Sequence, residues 1–87
     1  MADVRLPPTL PPLFPGLPRR VELSAATVAE LLATMDERWP GFRDRLCEPG
    51  PKLRTHIHVY VDGQRAELDS AIGPHARVDV ITAISGG

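Results

Sequence analysis

The 87-residue chain has a single cysteine, Cys47, so no internal disulfide can form and stability must come from packing. Aromatic residues are also scarce, at 5%. The core must therefore be assembled from Val, Leu, Ile and Ala. Neither sign of charge is in excess: 10 basic and 11 acidic side chains give a formal net charge of −1. No basic stripe with interleaved aromatics runs along the chain, which argues against a nucleic-acid partner. No apolar run approaches the roughly 20 residues of a membrane helix. Met1-Ala2-Asp3-Val4-Arg5 also lacks the basic-then-apolar layout of a signal peptide, so the expected setting is cytoplasmic. One thiol and the scattered His56, His58 and His75 do not match a structural zinc spacing, and no metal or bound cofactor is expected. A chain of this length makes one domain, residues 1–87, around one modest core.

What the chain does have is proline. Six of its 10 prolines fall between Pro7 and Pro18. Val4-Arg5-Leu6 alternates apolar and charged residues and predicts a short strand that Pro7-Pro8 ends. The segment from Pro7 to Pro18 cannot be a regular helix or a central strand, because proline fixes φ and lacks the amide donor. Pro8 to Pro11 and Pro12 to Pro15 have the spacing of a polyproline ligand. The interleaved apolar residues favour the other reading, a stiff connection that lays Leu10, Leu13 and Phe14 on the edge of the core.

Arg19-Arg20-Val21-Glu22-Leu23 alternates again and predicts a strand paired with the first. Thr27 followed by Glu30 is a capping box. Val28, Leu31, Leu32, Met35 and Trp39 then fall at helical spacing, with Glu30, Asp36, Glu37 and Arg38 toward solvent, and Pro40-Gly41 stop the helix. Phe42 to Leu46 reads as one further helical turn with Phe42 and Leu46 inward. Cys47 has no neighbouring base and reads as a small, partly buried side chain rather than a nucleophile. Glu48-Pro49-Gly50-Pro51-Lys52 is loop by composition.

Strict alternation from His56 to Val61 puts Ile57, Val59 and Val61 on one face and His56, His58 and Tyr60 on the other. Asp62-Gly63 predicts a tight hairpin turn before a short strand, Gln64 to Leu68. Asp69 to Ala76 is a connection. Arg77 to Ile84 is a β-branched final strand that runs into Ser85-Gly86-Gly87, where the strand cannot continue. The tail 85–87 is expected to be a thin, flexible arm ending in the Gly87 carboxylate, the group on which other proteins work.

Strand, strand, helix, helical turn and three more strands fit one long helix against one face of a small mixed sheet of four or five strands. The first and last strands should lie side by side in the middle. If Val78 and Val80 face the helix, Ile81 and Ala83 face outward and, with Tyr60, form an apolar patch for docking partners; the alternative is a bulge in the last strand that turns Ile81 inward.

The ordered set Ala26-Thr27-Val28-Ala29-Glu30-Leu31-Leu32, Trp39-Pro40-Gly41-Phe42-Arg43-Asp44-Arg45-Leu46, Ile57-His58-Val59-Tyr60-Val61-Asp62-Gly63 and Ala83-Ile84-Ser85-Gly86-Gly87 resembles the MoaD/ThiS family of ubiquitin-like sulfur carriers over almost the whole chain. The resemblance implies an α+β, β-grasp fold and no catalysis by the protein itself. It also implies a cycle at one carboxylate. An E1-like adenylyltransferase/sulfurtransferase would use ATP to adenylate Gly87 and convert it to a thiocarboxylate, and a sulfur-accepting synthase would take the sulfur. A second class stays open, a ubiquitin-like modifier or interaction module whose Gly-Gly end is conjugated to lysines or idle. Lys52 to Asp62 and Leu6 to Leu10 look similar to carriers for cysteine biosynthesis and to actinobacterial carriers for sulfur-containing metabolites. Family members, among them the small subunits of molybdopterin synthase, often have proline at the position of Thr82. This departure leaves the pathway open.

Overall fold

The computed structural model describes residues 1–83. The elements in chain order are β1 (Ala2–Arg5), a 3-10 turn (Pro11–Leu13), β2 (Arg20–Leu23), α1 (Val28–Arg38), α2 (Phe42–Leu46), β3 (Cys47–Glu48), β4 (Lys52–Leu53), β5 (Ile57–Val61), β6 (Gln64–Ala66) and β7 (Arg77–Thr82). Five of the strands form one mixed sheet in the order β2-β1-β7-β5-β6. β1 and β7 run parallel at its centre, and every other pair is antiparallel. This is the β-grasp arrangement expected from the pattern, with the two hairpins on the outside.

Register fixes which residues meet α1. Val21, Val4, Val78 and Val61 pair across four strands, and Val80, Val59 and Ala66 form the next row. Every one of these is buried except the half-buried Val61. Against them α1 sets Val28, Leu31, Leu32 and Met35, all 1% exposed or less, with Trp39 partly buried at its end. Burying each such side chain contributes about 1.5–3 kcal/mol, whereas helix propensity differs by tenths, so contact with the sheet is what holds α1.

The first three amides of α1 all find acceptors, though only the Thr27 half of the expected capping box forms. Thr27 Oγ1 accepts from Glu30 N at 3.2 Å, while Val28 N and Ala29 N donate to the carbonyls of Ser70 and Leu68 at 3.1 and 2.8 Å. The connection after β6 thus closes the helix N-terminus. At the other end, Asp36 does not simply face solvent as its helical position suggested. It is half-buried, and its Oδ1 accepts from Gly41 N and Arg43 N at 3.1 and 3.0 Å, capping α2. Gly41 makes the sharp corner between the helices with φ +95°, a conformation that a side chain strains.

Three local expectations need correction. Leu10 is buried and Phe14 packs on the core, but Leu13 is 46% exposed, and Leu17 takes the inward place. The 3-10 turn, in which Leu13 N donates to Leu10 O at 2.9 Å, brings the chain back through Phe14 so that the next inward residue comes at position 17. Glu48–Lys52 is not only loop: Cys47 pairs with Leu53 and Glu48 with Lys52 in a two-stranded ribbon. The flanking prolines hide it from pattern reading. Finally, β6 ends at Ala66 rather than Leu68, because Leu68 O turns to cap α1.

Candidate functional site

The face of the sheet turned away from α1 carries the groups that the alternation Val4-Arg5-Leu6 and Arg77-Val78-Asp79 had left outside. Across the register, Arg20, Arg5, Asp79, Tyr60 and Arg65 lie in one row. Glu22, Asp3 and Arg77 form a second, and Ile81 pairs with His58 in a third.

Ile81 is 44% exposed on β7, one of few large apolar side chains in the open among the described residues. Tyr60, half-buried on β5, is paired with Asp79 and so sits diagonal to Ile81; the two line one shallow depression with Leu6 and Arg5. Ala83 is half-buried just past β7, and its amide donates to His56 O at 2.7 Å, extending the β5–β7 ladder by one bond. Alternation puts Ala83 on the side of Ile81, but it does not line the depression. Ser85, Gly86 and Gly87, on which the carrier reading depends, lie outside the described residues.

Thr82 has the parity of the helix-facing set and pairs with Ile57. Its hydroxyl lies 3.3 Å from that of Thr9, so the proline-rich connection touches the last residue of β7. That connection is anchored further by Phe14 against Phe42, with ring centroids 5.7 Å apart and planes at 55°.

Charge on the outer face is organised around Asp3. Arg20 Nε donates to Asp3 Oδ1 at 2.8 Å and Arg5 Nη2 approaches Oδ2 at 3.4 Å. The bond from Arg20, outweighing partial burial, holds the Asp3 carboxyl below its ordinary value of 3.8. A carboxyl whose folded pKa is depressed adds stability above its unfolded pKa and loses it as pH falls through the folded one. Asp3→Asn is therefore expected to flatten the fall of thermal midpoint with pH below 3.8 while leaving the neutral-pH midpoint slightly lower. Calorimetry from pH 2 to 6 checks it, and an unchanged acid limb would exclude Asp3 as a contributor.

A second cleft lies on the helix side, with a volume of about 580 Å³ between Leu32, Leu68, Cys47 and Arg54. It offers no nucleophile. Burial pushes the Cys47 thiol above 9.0, despite Arg43 and Arg54 nearby, so the sulfur stays protonated at neutral pH. Among the described residues no group of three or more His, Cys, Asp and Glu side chains is placed to hold a metal. Among the described residues no helix is long and apolar enough to cross a membrane.

Sequence reading placed Ile81 and Tyr60 on this face but overlooked the arginines around them. Their signal was present in the alternating charges of the two central strands, where every second residue must share the outer surface.

Comparison with known proteins agrees with this architecture. Residues 13–87 match the model of the ThiS family. A chain of the Amycolatopsis orientalis BexX/CysO complex superimposes with a TM-score of 0.88 and 26% identity, covering 100% of both chains. Mycobacterium tuberculosis CysO gives a TM-score of 0.85 and 23% identity over 97% of this chain and 100% of that one. SAMP1 from Haloferax volcanii gives 0.76 and 25%, over 99% and 98%. No curated protein matches the chain significantly in sequence.

Proposed function

The chain belongs to the ThiS family of ubiquitin-like sulfur carriers, and from that premise we propose that the Gly87 carboxylate is the group on which its function turns. The observation that carries this reading is the family match extending through Gly87 on a chain whose last strand, β7, lies at the centre of the sheet.

A carboxylate is a poor electrophile until one oxygen becomes part of a good leaving group. A partner enzyme of the E1-like class supplies that by joining the Gly87 carboxylate to the α-phosphate of ATP and releasing pyrophosphate. A sulfide-level sulfur nucleophile then attacks the acyl carbon; the C–S bond forms, the C–O bond to AMP breaks, and a thiocarboxylate remains. Ionised at neutral pH, it carries sulfur to an accepting synthase. Two glycines suit this cycle because they present the acyl carbon with no side chain to obstruct a narrow channel. The chain contributes scaffold, docking face and acyl group. The acid–base groups and ATP site belong to the partners, and the complex of CysO with BexX in Amycolatopsis orientalis supports the idea that such a domain engages a second protein.

Intact mass after incubation with an E1-like enzyme, ATP and sulfide tests the reading. Exchange of one oxygen for sulfur at Gly87 supports it. Branched peptides at lysines would favour the modifier class, to which the similarity to SAMP1, a small archaeal modifier protein, gives some support. Lys52 is the chain's sole lysine, so self-conjugation through a lysine has one address.

Ile81, Tyr60 and Ala83 form the apolar part of the docking face in this proposal. Ile81→Asp is expected to weaken binding to the activating enzyme by about tenfold or more, since truncating or charging a central apolar contact removes over 1 kcal/mol. With Ile81 already 44% exposed, stability should change little. Calorimetric titration and a melting curve on the same sample check both parts. Severe unfolding would return Ile81 to the core.

A further inference from the structure

The depression beside Ile81 holds three guanidiniums, from Arg5, Arg19 and Arg77, against one carboxylate, Asp79, in a chain whose formal net charge is −1. Asp79 is already engaged by Arg77 Nε at 3.1 Å. Two more carboxylates share this face: Asp3, taken by Arg20 at 2.8 Å, and Glu22, which stands opposite Asp3 and does not line the depression.

Arg5 lies between these two pairs. On one side it stands directly opposite Arg20 and on the other directly opposite Asp79. Like charges placed opposite one another across strands are unfavourable. Its contact with Asp3, 3.4 Å from Nη2, is long for a charge-assisted hydrogen bond, which sits near 2.7–2.9 Å. Among the described residues, Arg5 Nε is covered and has no hydrogen-bond partner. The side chain as a whole is 41% exposed, so the guanidinium is covered at Nε and open to solvent elsewhere.

A guanidinium is always protonated and presents a planar fork that fits a carboxylate with two parallel bonds. Held in place but poorly paired, Arg5 is preorganised to receive one: its desolvation is partly complete and its freedom partly lost before any partner arrives. The floor beside it is apolar, built from Leu6, Tyr60 and Ile81.

We propose that Arg5 is the recognition point for an acidic side chain of the activating enzyme, an Asp or Glu flanked by apolar residues that cover Ile81 and Tyr60. The inference rests on the carrier reading and names the chemistry of its docking partner. The excess of positive charge selects an anionic occupant. The apolar floor selects a protein over a free phosphate, which would leave Ile81 wet. Arg19 on the rim adds long-range attraction, so encounter should slow as salt rises.

The test uses the full chain and an E1-like enzyme that converts Gly87 to the thiocarboxylate in the mass assay above. With Arg5→Gln, the KM for the carrier in ATP–pyrophosphate exchange should rise about tenfold or more while kcat stays within about twofold, because a docking contact is made equally in ground and transition states. Arg5→Lys should recover only part of the loss, having charge without the fork. The wild-type KM should also climb more steeply with salt than that of Arg5→Gln. The thermal midpoint of Arg5→Gln should be unchanged or higher, since a like-charge pair with Arg20 is removed.

Three results would overturn the proposal: an unchanged KM, a marked drop in midpoint that makes Arg5 structural, or a concentration-dependent dimer of the wild type that Arg5→Gln dissociates, which would make a second copy the occupant. If no thiocarboxylate forms with the wild type, the carrier reading fails instead. The two failures are therefore separable.

Discussion

Deleting Gly87 is expected to abolish thiocarboxylate formation and to leave the thermal midpoint of the domain nearly where it was. The first half follows from reach. Each residue extends the chain by at most about 3.3–3.6 Å, and a reacting atom misplaced by even about 1 Å loses on the order of a hundredfold in rate. A carboxylate one residue short, with Ala83 still fixed to His56 by its amide, cannot be carried the missing distance to the nucleotide. The second half follows from where the core is. Among the described residues every buried apolar side chain lies between Ala2 and Val80, before the tail begins. Gly87→Ala separates length from side-chain bulk: it keeps the carboxylate at full reach but adds a Cβ, so it should retain more activity than the deletion if reach dominates. Intact-mass detection of sulfur incorporation, paired with calorimetry, gives both readings on one preparation. Sulfuration of the truncated chain at the wild-type rate would sink the proposed role of Gly87, and a fall of many degrees would show that the end of the chain supports the fold.

How much of this was legible beforehand depends on which physical signal each element left in the sequence. α1 was readable because the stripe from Val28 to Trp39 and the Thr27 cap are local statements that the tertiary structure merely uses. For Ile81 the sequence left two readings, outward by parity or inward through a bulge, and the unbroken register of β5 with β7 through His58 and Ile81 decides for parity. The pairing of β1 with β7 follows from topology rules rather than from any residue. The hidden features are those whose signal is relational. Leu17 rather than Leu13 points inward because of a 3-10 turn among prolines, where no period of 2 or 3.6 applies. Asp36 looks like any exposed helical acid until the chain bends at Gly41 and returns two amides to it. The unbalanced position of Arg5 could not be seen at all before the register set Arg20 and Asp79 on either side of it.

The largest loss of stability is expected for Phe42→Ala. Phe42 is the largest of the fully buried side chains and opens α2 directly after the corner at Gly41. Its ring meets Phe14 at a centroid distance of 5.7 Å, and Phe14 is the half-buried anchor of the proline-rich connection. Removing a fully buried phenylalanine leaves a cavity as well as lost burial, about 3–5 kcal/mol together, in a domain whose total stability is of order 5–15 kcal/mol. For a domain of this size each kcal/mol lowers the midpoint by about 4–8 °C, so a drop of at least about 12 °C is expected. Phe14→Ala should do less, because its ring is partly in solvent, and the double variant should lose less than the sum, with a coupling of about 0.5–1.5 kcal/mol from the aromatic pair. The connection carries Thr9, whose hydroxyl meets that of Thr82, so loosening it reaches the root of the tail. At a temperature where Phe42→Ala remains folded, thiocarboxylate formation should therefore persist with a raised KM rather than vanish, in contrast to the Gly87 deletion. A loss of less than about 1 kcal/mol for Phe42→Ala, far below the range for a buried phenylalanine, would mean that α2 and the proline-rich connection hold their places without this ring.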